Sequence, residues 1–224
     1  MEAGKRFLEC CCTSVYEALE AEAGGALRIE LCSDLSCGGI TPERSILEET
    51  LSKVSIPINV LVRPRGGGFI YSGNEIGHIY DGIEMCKDLG VNAVVIGVLD
   101  SDGNVDIEAM AGLMEAAGGL RVTFHRAFDE CRDPFKALED IISLGCDRLL
   151  TAGHAANVND GLRTLKKLNE AAAGRITVLA GSGVRPENIA HIEGYTGIME
   201  FHSSSHGPDG LTSRETVARM VRRG

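Results

Sequence analysis

Short apolar runs recur eight times along the chain, and each is followed by a stretch in which apolar residues return at helical spacing. The runs are Phe7–Cys12, Leu27–Cys32, Ile58–Arg63, Ala93–Val98, Leu120–His125, Asp147–Thr151, Arg175–Ala180 and Ile198–His202. Each is rich in Val, Ile, Leu or Phe, as buried parallel strands are. The spacing predicts helices over about 14–24, 42–53, 74–89, 106–117, 134–144, 157–173, 185–194 and 212–223. Glycines near residues 25, 90 and 145 sit where a left-handed helix end is favoured. Thr41-Pro42 and Asp133-Pro134 read as an N-cap followed by a first-turn proline, and Arg185-Pro186-Glu187 reads as the start of the seventh helix. Eight strand–helix units in 224 residues predict an α/β fold, a single TIM-like (β/α)8 barrel with parallel strands. No linker or low-complexity stretch interrupts the rhythm, so residues 1–224 read as one domain.

Alternation along each run assigns faces. Glu9 and Cys11 share one face of the first run, Glu30 and Cys32 one of the second, Thr123 and His125 one of the fifth, and Glu200 and His202 one of the eighth. The opposite faces carry Leu8 and Cys10, Ile29 and Leu31, Val122 and Phe124, and Met199 and Phe201, the apolar sets expected beneath the helices. The polar sets therefore point into the barrel or its mouth, the end where such folds place their function.

Charge and cysteine content narrow the setting. The net charge is −10, from 32 acidic and 22 basic residues, which disfavours a nucleic-acid or anionic-membrane surface. No apolar run is long enough to cross a bilayer, and no secretory signal precedes the first strand, so a cytoplasmic location is expected. The eight cysteines are then expected to be mostly free thiols, with Cys86 and Cys146 read as buried structural residues.

Carboxylates, imidazoles and Arg63 on one lumen require either an internal salt-bridge network or chemistry, because unpaired buried charge is costly. Glu9, Glu30, His125, Glu200 and His202 are the candidates for proton transfer or for holding a divalent metal. Arg63 and Arg65, in Arg63-Pro64-Arg65-Gly66-Gly67-Gly68, could clamp a carboxylate or phosphate, and Arg126 follows His125. Gly181, Ser182 and Gly183 after the seventh run, with Ser203 after the eighth, form a candidate anion cup at a helix start. No lysine falls at a strand end, which removes the nucleophile of a Schiff-base aldolase. Cys11 and Cys32 are a soft pair whose proximity follows only from the barrel; alternation turns Cys10 and Cys12 away from Cys11.

Several motifs in order resemble the CutC copper homeostasis family: Glu30-Leu31-Cys32, Arg63-Pro64-Arg65-Gly66-Gly67, Gly97-Val98-Leu99-Asp100 with Asp102-Gly103-Asn104-Val105-Asp106, Thr123 to Asp129, and His202-Ser203-Ser204. The likeness runs from about residue 7 to 206. It implies a TIM-barrel-like fold, a cytoplasmic location, a role in copper handling and a homo-oligomer, dimeric or tetrameric. It also implies that Cys11 and Cys32 match the two cysteines proposed in that family for Cu(I). The chain departs from the family between the His-Ser-Ser motif and the last helix, where only His206-Gly207-Pro208-Asp209-Gly210 fills a longer segment.

Two functions are thereby expected. One is a copper homeostasis protein that binds Cu(I) through thiolates at the strand ends. The other is a barrel enzyme of unassigned reaction acting on a small anionic or phosphorylated metabolite, with or without a divalent metal.

Overall fold

Neighbouring strands pair in parallel all the way round and close on themselves, in a computed structural model that describes residues 5–223. The strands are β1 (Phe7–Cys12), β2 (Arg28–Leu31), β3 (Ile58–Leu61), β4 (Ala93–Ile96), β5 (Arg121–Phe124), β6 (Arg148–Thr151), β7 (Thr177–Ala180) and β8 (Glu200–Ser203). The helices are α1 (Val15–Gly24), α2 (Arg44–Lys53), α3 (Gly73–Leu89), α4 (Ile107–Ala117), α5 (Pro134–Ser143), α6 (Val158–Ala172), α7 (Ile189–Thr196) and α8 (Arg214–Val221). Closure comes from β8 beside β1, with Phe7 opposite Glu200 and Glu9 opposite His202. The expected (β/α)8 barrel is the observed fold.

Two apolar layers follow from strand parity. Leu8, Cys10, Cys12, Ile29, Leu31, Val122, Phe124 and Phe201 belong to the large core between strands and helices. Full burial of each Leu, Ile or Phe contributes about 1.5–3 kcal/mol. Inside the barrel a separate small cluster joins Cys11, Cys32, Leu61 and Val95. Met199, expected beneath the helices, is instead largely exposed, because it precedes β8 at the rim. Layer contact is tightest where α6 meets the end of β6. There a Cβ on Gly161 would lie 1.8 Å from the Ala152 carbonyl oxygen, so only glycine fits.

Two expected helix starts move. Thr41 does not cap α2, whose N-cap position is Glu43. Its hydroxyl instead accepts from the Arg63 amide at 2.9 Å, and the Thr41 amide donates to the Arg63 carbonyl, which ties the loop before α2 to the end of β3. The seventh helix begins at Ile189 rather than 185, because Arg185–Asn188 forms a turn in which the Arg185 amide donates to Asn188 Oδ1. Asp133 caps α5 as expected, accepting from the amides of Phe135 and Lys136. Gly25, Gly90 and Gly145 all have positive φ at or just past helix ends. Among the described residues no helix is long and apolar enough to cross a membrane.

Candidate functional site

The barrel interior begins, on its amino-terminal side, with a closed network of charges. Glu9 is fully buried and accepts from Arg28 Nε, from Asn59 Nδ2 at 3.1 Å, and pairs with His202 Nδ1 at 2.8 Å. The far side of the Arg28 guanidinium donates to Glu200 at 2.8 Å, and Arg148 Nε reaches the same carboxylate at 3.2 Å. Arg28 also stacks over the Phe7 ring, 4.6 Å from its centroid. Each buried charge therefore meets an opposite one, the condition for tolerating it there. Parity on β1, β2, β3, β6 and β8 aims all of these side chains inward.

Above this network a cavity of about 680 Å³ opens at the carboxyl ends of the strands. Its floor holds Cys11, Cys32, Glu30 and His202. The two sulfurs lie 3.5 Å apart, and His202 Nε2 is 3.6 Å from Glu30 Oε2. One ligand atom each from Cys11, Glu30 and His202 falls within a 4.8 Å cluster. Leu35 and Leu61 line the floor's apolar side. The wall is built from Arg63, Phe69, His125 and Arg126. The Phe69 ring touches both Arg63 (Cζ 4.7 Å from the centroid) and His125 (centroids 4.9 Å apart). Gly97, at the end of β4, leaves room for the imidazole, since a Cβ there would come within 2.6 Å of His125 Nδ1.

Loops complete the mouth through a few buried polar groups. Arg63 donates to the carbonyls of Cys37 (3.2 Å), Gly39 (2.9 Å) and Gly67 (2.5 Å), so one guanidinium joins the loop after β2 to the loop after β3. Asp129 accepts from Thr151 Oγ1 (2.5 Å) and from the amides of Ala152 and His154, and Arg126 Nε donates to it at 2.8 Å. That carboxylate organises the loop whose Ala155 and Ala156 close the opposite side.

The electrostatics divide the site. Burial alone would raise the Glu9 carboxyl, but the Arg28 charge and the His202 hydrogen bond hold it down at about 2. Burial raises Glu30, more than the His202 charge lowers it. For His202, burial opposes the charged ring but the Glu30 and Glu9 carboxylates prevail, so its pKa is raised. His125 goes the other way: burial, helped by Arg63, pushes it down to about 3. Its Nδ1 accepts from the Ala127 amide at 3.2 Å, so the neutral ring carries its proton on Nε2. The hydrogen bond to Cys32, followed by burial, raises the Cys11 thiol well above its ordinary value.

The sequence-predicted residues separate accordingly. Cys11, Cys32, Glu30, His202, His125, Arg63 and Arg126 share the cavity. Glu9 and Glu200 do not line it; they are engaged with Arg28 below, which makes them supports rather than contacts. Arg65 lies outside the cavity, paired with Glu75 of α3 and donating to the carbonyls of Gly68 and Ile70. Gly181, Ser182, Gly183 and Ser203 do not line it either. The Ser182 hydroxyl donates to the Ala156 carbonyl and that of Ser203 to the Val184 carbonyl. No lysine lines the cavity. Sequence reading missed Arg28, Asn59 and Arg148, whose strand parity was the available signal. It also missed Phe69 and Gly97, for which no local pattern exists.

Comparison with known proteins agrees with this architecture. The CutC family profile matches residues 6–207. A CutC family protein from Parabacteroides distasonis is 48% identical over 202 residues, covering 90% of this chain and 83% of that protein. One from Bacteroides thetaiotaomicron is 49% identical over 200 residues, covering 88% and 80%. A crystal structure of CutC from Streptococcus agalactiae, provisionally described as a copper homeostasis protein, superposes with a TM-score of 0.85 at 31% identity, covering 89% of this chain and 98% of that one. The phosphoribosylanthranilate isomerase of Pyrococcus furiosus shares the fold alone, with a TM-score of 0.65 at 14% identity over 96% of both chains. With eight strands closed into a barrel, the family profile matched over residues 6–207 and relatives 48–49% identical, this chain belongs to the CutC family.

Proposed function

We propose that this chain binds Cu(I) at Cys11 and Cys32 and serves in copper homeostasis. The observation that carries the reading is the thiol pair, 3.5 Å apart on the inner face of adjacent strands, with Glu30 and His202 beside it. Thiolate is the donor that soft Cu(I) favours, and two of them in a shielded floor make a low-coordinate soft site. The provisional description of the Streptococcus agalactiae relative points to the same cargo.

Supporting residues have definite parts. Leu35, Leu61 and Val95 pack against the sulfurs and limit water there. His202 is oriented by its bond to Glu9, which is itself fixed by Arg28. Both thiols must release protons as the ion arrives, so affinity rises with pH. A borderline divalent ion would draw instead on the mixed set of sulfur, imidazole and carboxylate.

The test is an anaerobic Cu(I) titration of reduced, metal-free protein against a competing chelator, with Zn(II) run in parallel. Wild type should take up about one equivalent, and Cys32→Ser should bind at least tenfold more weakly, the equivalent of about 1.4 kcal/mol. Equal affinity in the two proteins would reject the site. Preference for Zn(II) over Cu(I) would reject the cargo.

A further inference from the structure

The cavity is far larger than one ion needs. At about 680 Å³ it lies within the range of about 300–1,000 Å³ typical of small-molecule sites. Its wall also presents a charge that the protein does not balance. Arg63 is only 5% exposed, and its guanidinium meets three backbone carbonyls. Among the described residues no carboxylate forms an ion pair with it. Of the acids nearby, Glu75 pairs with Arg65, Asp129 with Arg126 and Glu30 with His202, while Glu130, which also lines the cavity, is exposed to solvent. The polar groups beside Arg63 are neutral: the Tyr71 hydroxyl is its side-chain hydrogen-bond neighbour and feels its charge. Buried charges in folded proteins are usually met by an opposite charge, and this one has carbonyl oxygens but, among the described residues, no ion-pair partner.

A second donor stands next to it. His125 is 5% exposed and shares the Phe69 ring with Arg63. Its Nδ1 is taken by the Ala127 amide, and no hydrogen bond engages Nε2 among the described residues. A neutral imidazole beside a guanidinium is a hydrogen-bond donor, suited to an oxygen that carries or shares negative charge. Arg126, at the mouth, extends the same positive wall. The apolar side of the cavity comes from Leu35, Leu61 and Leu150.

We infer that the cavity binds a small organic oxyanion, whose carboxylate or phosphate group is held by Arg63 and His125 above the thiol floor. The ligand supplies the missing counter-charge, and its body occupies the space between the cationic wall and the apolar side. This inference stands apart from the copper reading, since none of its residues is a proposed Cu(I) ligand. It also separates Arg63 from Arg65, which a motif reading of the same loop would pair.

The experiment uses full-length, reduced, metal-free protein with histidine imidazoles labelled with ¹⁵N; the chain has six histidines. Succinate, glycerol 3-phosphate and inorganic phosphate are titrated separately to 50 mM at constant ionic strength. Saturable binding of succinate or glycerol 3-phosphate that moves the His125 Nε2 resonance is expected, and which of them binds identifies the anionic group. His125→Gln should weaken it about tenfold or more, and so should Arg63→Gln. Arg65→Gln should leave it unchanged. If Arg63→Gln does not fold, His125→Gln and Arg126→Gln carry the test, each expected to weaken binding. The inference is overturned if no probe binds wild type, if only inorganic phosphate binds, if His125→Gln binds as well as wild type, or if Arg65→Gln loses binding.

Discussion

Lowering the pH from 7 to 5 should destabilise the wild-type protein more than a His125→Gln variant. Burial, with Arg63 beside the ring, holds His125 down at about 3, against 6.5 for an unperturbed histidine. Between those values the unfolded chain binds a proton that the folded chain excludes, so stability falls as the pH falls. From 6.5 to 5 the difference grows through about 1.5 pH units at about 1.36 kcal/mol each, or about 2 kcal/mol. Because the ring is almost entirely buried, solvent does not screen the effect away. Other groups work in different windows. Glu9, held at about 2, stabilises above its ordinary 4.5 and loses that contribution only as the pH falls from there toward about 2. His202, raised, contributes stability that is complete below 6.5 and is lost as the pH rises through its folded value. Comparing variant with wild type subtracts all of these. Urea denaturation of both proteins at pH 7 and pH 5 reads the double difference. Equal pH dependence in the two would refute the buried, neutral state assigned to His125.

Two further outcomes follow from the geometry. Arg28→Met strips Glu9 of its main counter-charge and leaves Glu200 with Arg148, and breaking such a buried pair costs about 3–5 kcal/mol, measurable as a shift in the urea midpoint. Gly97→Ala drives a methyl toward His125 Nδ1, 2.6 Å from the ideal Cβ; it should cost about 1–3 kcal/mol and displace the His125 imidazole resonances, and an unchanged spectrum would show that the ring is not confined there.

Much of this molecule could be read from its sequence because the strand period is local. Alternation in Phe7–Cys12 was enough to turn Glu9 and Cys11 inward and Leu8, Cys10 and Cys12 outward. Height within the barrel is not local. Glu9 and Glu30 look equivalent along their strands, yet pairing sets Glu9 opposite Arg28 and Cys11 opposite Glu30, so one carboxylate is drawn into the network and the other meets the cavity. Glu200 sinks below it for the same reason, lying level with Phe7 at the start of β1. The arginines of the third loop differ in partners that come from elsewhere in the chain: Arg63 from residues 37–39, Arg65 from Glu75. Thr41 shows the same effect on a smaller scale, since the end of β3 claims the hydroxyl that a helix start would otherwise use.

The most direct test of the central claim is copper K-edge X-ray absorption on protein loaded anaerobically with one equivalent of Cu(I). Wild type should show two sulfur scatterers in the first shell, and Cys32→Ser should lose one of them. A shell of nitrogen and oxygen alone, or a spectrum unaltered in Cys32→Ser, would contradict binding at the Cys11–Cys32 pair.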